Sequence, residues 1–198
     1  QALNALYEQC AASIPDTTYF VLSGSLPQGM PIEAYEQFLH RLKSLNKPII
    51  LDTSNEALRA AYAFQPMLLK PNEQEFQQLT NLSLSSIEEY KAAMRSIKKA
   101  PLYLIVSLGS AGALLKHEQT IFYAQTTQQF NIVNTVGSGD SFLAAFVAGL
   151  YTAQSTTTTL KMAMAAGVAN ARHMAIAEID LQHYNEALST IVVTEEEV

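Results

Sequence analysis

The chain has 198 residues, 48% hydrophobic and 15% charged, with a formal net charge of −6, so one sizeable core fits and a basic nucleic-acid binder does not. A single cysteine, Cys10, excludes an internal disulfide framework and fits a reducing, cytoplasmic setting. No apolar run approaches the roughly 18–20 residues that span a bilayer, no charged-then-apolar leader is seen, and Gln1 in place of Met suggests part of a longer product.

Taken in chain order, apolar runs alternate with helical patterns. "YFVLSG" (19–24) reads as a buried strand, and "IEAYEQFLHRLKSL" (32–45) puts Tyr35, Phe38, Leu39, Leu42 and Leu45 on one helical face. "PIILD" (48–52) and "MLLKPN" (67–72) are the second and third strands, the latter stopped by Pro71. Helices are expected near 73–80 and 86–99, followed by the clearest strand, "LYLIVSLG" (102–109). "GALLK" and "TIFYAQ" form a hairpin or short meander around "HEQ". Two apolar helices follow, near 140–152 and 157–175, with the Thr156–Thr159 run as a loop and helix start. The terminal "EEEV" reads as a solvated tail and the four histidines as surface residues without metal-ligand spacing. Strands separated by such helices imply one α/β domain over 1–198, an open, mostly parallel sheet with helices on both faces.

In such sheets the ligand site lies beyond the C-terminal strand ends. Polar or glycine-rich segments stand there repeatedly: Ser23-Gly24-Ser25, Asp52-Thr53-Ser54, Lys70 to Glu75, and Ser107 to Gly112. The stretch "NTVGSGDSFLAAFVAGL" (134–150) adds Gly137, Ser138 and Gly139 before Asp140 and an apolar helix. Unpaired amides and the dipole of a helix start attract an anion, glycines allow close approach, and a carboxylate beside it can accept a hydroxyl proton. The plainer reading is that Ser138 or Asp140 caps the helix. No P-loop pattern occurs, the dinucleotide fingerprint fails at Phe142, and no G-x-S-x-G elbow is present.

These segments together resemble the ribokinase-like (PfkB) carbohydrate kinases. "NTVGSGDSFLAAFVAGL" is similar to the family's C-terminal signature. "VLSGSLPQG", "LKPNEQE", "VSLGSAGA" and "AAGVANA" resemble its sugar-phosphate branch, that of 1-phosphofructokinase and tagatose-6-phosphate kinase. The resemblance implies ATP and Mg²⁺ as cofactors and a small sugar phosphate as acceptor, with no nucleic-acid or membrane partner and room for a homodimer in the full-length protein. It implies Asp140 as catalytic base and Gly137, Ser138 and Gly139 as anion hole. Asn72 and Glu75 organise Mg²⁺ and its waters, and Lys70 reaches the nucleotide phosphates. Ser107, Leu108, Gly109, Ser110, Ala111 and Gly112 form the nucleotide loop. Asn170 lies near the adenine pocket, with a helix-packing or solvated role as the alternative, and Ser23, Gly24 and Ser25 approach the acceptor, with simple turn chemistry as the alternative. Asn55 replaces a usual glycine after "DTS", in a turn that asparagine tolerates, and Ala145 stands where glycine is commoner. Family members run longer, so the N-terminal part with the lid and most of the acceptor site is expected to be missing from this chain.

Overall fold

The computed structural model describes residues 2–197, and among them apolar runs and helical patterns become seven strands and eight α-helices. The chain divides into two units, Gln1–Ile105 and Val106–Val198. In the first, α1 (Ala2–Ala12) precedes β1 (Phe20–Ser23), α2 (Ile32–Lys43), β2 (Ile49–Asp52), α3 (Asn55–Phe64) and β3 (Leu68–Leu69). Then come α4 (Glu73–Thr80), α5 (Ile87–Ser96) and β4 (Tyr103–Ser107), whose last residues open the second unit.

β1 to β4 pair in parallel and in chain order, with Phe20 opposite Ile49, Ile50 opposite Leu68 and Leu68 opposite Tyr103. Because the order never reverses, right-handed crossovers carry successive helices to one face of these strands. In keeping with that, α2 packs on α3 and α3 on α4. Ile49, Ile50 and Leu51 are buried along β2, and Leu68 and Leu69 along β3, the pattern of inner parallel strands covered on both faces. Leu39, Leu42, Phe76 and Met94 complete the core from the helices. β1 alternates instead, leaving Val21 47% exposed.

α3 is absent from the reading of the sequence, because "NEALRAAYAF" is short and its inward face is mostly alanine. Ala57, Leu58, Ala60, Ala61 and Phe64 are nevertheless buried. α1 was not legible either: it buries no residue and is held through Arg41, whose guanidinium lies 3.9 Å above the Tyr7 ring and donates to Asn4.

The second unit contains β5 (Ala113–His117), β6 (Thr120–Thr126), α6 (Ser138–Tyr151), α7 (Thr156–Ala171), α8 (Leu181–Thr190) and β7 (Ile191–Glu197). The expected hairpin is present, His117 facing Thr120 across a turn at Glu118, whose φ is 54°. The terminal acids depart from the expected tail. β7 pairs antiparallel with β6, from Thr126 opposite Ile191 to Thr120 opposite Glu197. Buried Ile191 anchors this strand, while Glu195 to Glu197 are exposed, Glu195 accepting from the Thr157 hydroxyl, and Val198 lies outside the described residues. α6 and α7 pack closely because small residues line the contact. Any side-chain carbon on Gly149 would collide with Thr159, and Ala163, Ala166 and Ala169 are buried.

Candidate active site

In the first unit the residues singled out from the sequence gather at the C-terminal strand ends. Ser23 ends β1, and Gly24 follows with φ 103°, a left-handed backbone that glycine adopts without strain. The Gly24 amide donates to the Asp52 carbonyl at 2.9 Å, and Ser23, Gly24 and Ser25 are all exposed. One strand further, Lys70 follows β3. Its side chain is only 6% exposed, and its ammonium sits 2.9 Å from a carboxylate oxygen of Asp52. Thr53 is buried beside them, and among the described residues its hydroxyl has no hydrogen-bond partner. Asn55 has φ 56°, so the turn that usually holds glycine survives with asparagine, as expected.

Asn72 caps α4. Its Oδ1 accepts from the Glu75 amide at 2.9 Å, and the Glu75 carboxylate accepts from the Asn72 amide at 2.9 Å, a reciprocal capping box. That bond engages one of the two Glu75 oxygens. Glu75 also lines a groove of about 590 Å³ with Ile32, Glu36, Asn55 and Arg59. Among the described residues no three His, Cys, Asp or Glu side chains are grouped to hold a metal ion. A hydrated Mg²⁺ fits this donor set, since that ion keeps several waters and needs only one or two carboxylates besides phosphate oxygens.

The second unit holds the other segments. At Ser107 to Gly112 the chain leaves β4 through a 3-10 turn at Gly109–Ala111. The Leu108 amide donates to the Gly112 carbonyl at 2.8 Å, and the Tyr123 hydroxyl donates to Ala111 at 2.7 Å. Gly112, with φ 104°, lies against the Ala124 carbonyl, where no side chain fits. Leu108 is a core residue, whereas Gly109, Ser110 and Ala111 are exposed. The loop is thus braced from behind and open at its tip.

At the start of α6, Gly137 is the N-cap residue, with φ 82°, and being glycine it offers no side-chain cap. Four other helices (α4, α5, α7 and α8) do carry side-chain caps, from Asn72, Ser86, Ser155 and Asp180. The Ser138 hydroxyl accepts from Asn170 Nδ2. Asp140 stands in the first turn, exposed. Gly137 is held so closely that an added methyl would meet the Ile176 side chain at 2.9 Å and the Ala177 nitrogen at 3.0 Å. Asn170 is fully buried, and its Nδ2 donates to the Val136 carbonyl at 2.9 Å and the Ser138 hydroxyl at 3.0 Å, tying α7 to this turn.

Some features beside this turn carried no signal in the sequence. Ile132, Val133, Val136, Met174, Ile176, Ile179 and Leu181 are exposed, and Val133 and Asn134 bond the Ala171 carbonyl, so an apolar rim flanks the α6 start. Of the four histidines, His40 is exposed as expected, whereas the His173 and His183 rings lie 5.3 Å apart, with His173 Nε2 and His183 Nδ1 buried and without hydrogen-bond partners among the described residues.

The architecture is that of the ribokinase-like α/β fold. The model of the pfkB family of carbohydrate kinases matches residues 1–181, and the chain belongs to that family. Among solved structures it is similar to phosphofructokinase-2 from Escherichia coli in complex with potassium, with TM-score 0.81 and 27% identity over 92% of this chain and 61% of that one. A phosphofructokinase candidate from Staphylococcus aureus gives 0.82 and 26%, covering 96% and 63%. Arabidopsis thaliana ribokinase complexed with ribose and ATP gives 0.71 and 20%, covering 91% and 59%. The chain spans about three fifths of the length of these structures.

Proposed function

We propose that this chain is the nucleotide and catalytic part of an ATP-dependent kinase that phosphorylates a hydroxymethyl group of a ketohexose phosphate, its two units acting as one domain. The start of α6 carries the reading: a glycine N-cap leaves room for an anion at the first turn, which holds Gly139 and Asp140. Such a start favours an anion, and phosphoryl transfer is mainly positioning and charge stabilisation. Asp140 accepts the hydroxyl proton late, because a loose transition state needs little activation of the nucleophile.

Other roles follow from exposure and charge. The tip of the 107–112 loop receives the nucleotide, and the apolar rim of Val136 and Ile176 suits a flat base. Asn170, buried under the turn, supports the anion hole without touching nucleotide. Lys70 directs its ammonium at phosphate oxygens. Mg²⁺, when bound, would supply positive charge to the phosphates, and Asn72 and Glu75 would be the residues that hold it. Ser23, Gly24 and Ser25 face the acceptor. Fructose 1-phosphate and tagatose 6-phosphate are the acceptors that "VLSGSLPQG" favours. Fructose-6-phosphate joins them, because phosphofructokinase-2 was solved with it. The test is a panel on the full-length protein, following ADP release with these three phosphates, ribose and adenosine. Highest kcat/KM for a ketohexose phosphate is expected. Highest kcat/KM for ribose or adenosine, or no ATP consumption, overturns the reading.

A further inference from the structure

Asp52 ends β2 with its side chain on Lys70, and no role in the reaction has been given to it. The pair follows from register: Leu51 lies opposite Leu69, so the next residues, Asp52 and Lys70, leave neighbouring parallel strands side by side. Their charged atoms are 2.9 Å apart, with the side chains 17% and 6% exposed. The Asp52 carbonyl also accepts from Gly24, which fixes the Ser23 to Ser25 turn against the same strand end.

Stability does not explain this pair. Taking two charges out of water costs more than their attraction returns in many proteins, and apolar pairs of similar volume serve as well or better. A lysine left alone at this place would be a flexible point charge on a four-carbon stem. We propose that Asp52 is a positioning residue: its carboxylate holds the Lys70 ammonium at the strand ends, so that the charge is in place before phosphate arrives. An ammonium has three donors, so one committed to Asp52 leaves two for phosphate oxygens. Ordering is then complete in the free protein and is not charged against binding. The Thr53 hydroxyl, buried and without a partner among the described residues, marks the same strand end as polar beyond the needs of packing.

This inference rests on the kinase reading, and the experiment separates the two. Mg·ATP and adenosine affinities are measured by calorimetry on the chain as it stands, D52N, K70M and D52N/K70M, each with a melting curve. D52N is expected to weaken ATP about tenfold, the scale of one charge-assisted hydrogen bond, and to leave adenosine within about twofold. In the K70M background D52N adds no further loss, because Asp52 acts through Lys70. Unchanged ATP affinity in folded D52N, equal loss of ATP and adenosine, or additive loss in the double variant overturns the inference and leaves the kinase reading standing. No ATP binding by the unaltered chain overturns both. Where D52N does not fold, D52E, which keeps the charge but shifts the carboxylate along a longer arm, takes its place. There, unchanged ATP affinity overturns the inference, and weakened ATP with adenosine retained upholds it.

Discussion

Replacing Asn170 with alanine removes the two bonds that tie α7 to the turn before α6, at 2.9 Å to the Val136 carbonyl and 3.0 Å to the Ser138 hydroxyl. Each such bond is worth about 1 kcal/mol net, and the space left by the buried Asn170 amide adds to the loss. Deleting Asn170 Oδ1, itself buried and without a partner, returns a little. The sum is roughly 2–3 kcal/mol, which in a chain of this size lowers Tm by about 5–10 °C. N170D keeps the shape but removes both donors and aims an oxygen at the Val136 carbonyl, so it is expected to cost at least as much. Calorimetry gives the stability loss, and amide exchange at Ser138 and Gly139 shows whether the turn itself loosens. A Tm within about 1 °C of the unaltered chain, with exchange unchanged, refutes the role given to Asn170.

Gly112→Ala forces a methyl toward the Ala124 carbonyl at φ 104°, and is expected to leave the chain insoluble or melting more than about 10 °C lower. Gly109→Ala, whose added carbon meets nothing within 4 Å, is the milder control, and equal melting of the two variants contradicts the packing argument. Burial pushes the Tyr35 phenol up from 10.0 to about 12. The folded state thus favours the neutral phenol, whose stabilisation is complete below pH 10 and is lost as pH rises from 10 through 12. Stability against urea is expected to fall across that window in the unaltered chain and more gently in Y35F, and parallel curves contradict it.

What was legible was periodic or local. β4, the 113–126 hairpin and the bounds of α4 follow from apolar runs, turn residues and the Asn72 cap. The glycine-rich start of α6 was legible because backbone that must turn left-handed leaves a glycine in the sequence. α3 escaped because alanines give a faint apolar stripe, and β7 because its glutamates hide a strand that pairing with β6 dictates. The Asp52–Lys70 pair, the Asn170 anchor and the His173–His183 contact join residues that only register or helix packing brings together. No spacing announces such contacts.

The most direct measurement is steady-state kinetics on Asp140→Asn in the full-length protein, with ATP affinity and a melting curve beside it. Asparagine nearly keeps the shape of aspartate but takes no proton. Because asparagine also caps a helix about as well as aspartate, stability is expected to change little. The base role requires kcat to fall roughly 10²–10⁴-fold while ATP affinity stays close to that of the unaltered enzyme. A kcat within about threefold of the unaltered enzyme would contradict the assignment of Asp140 as the base.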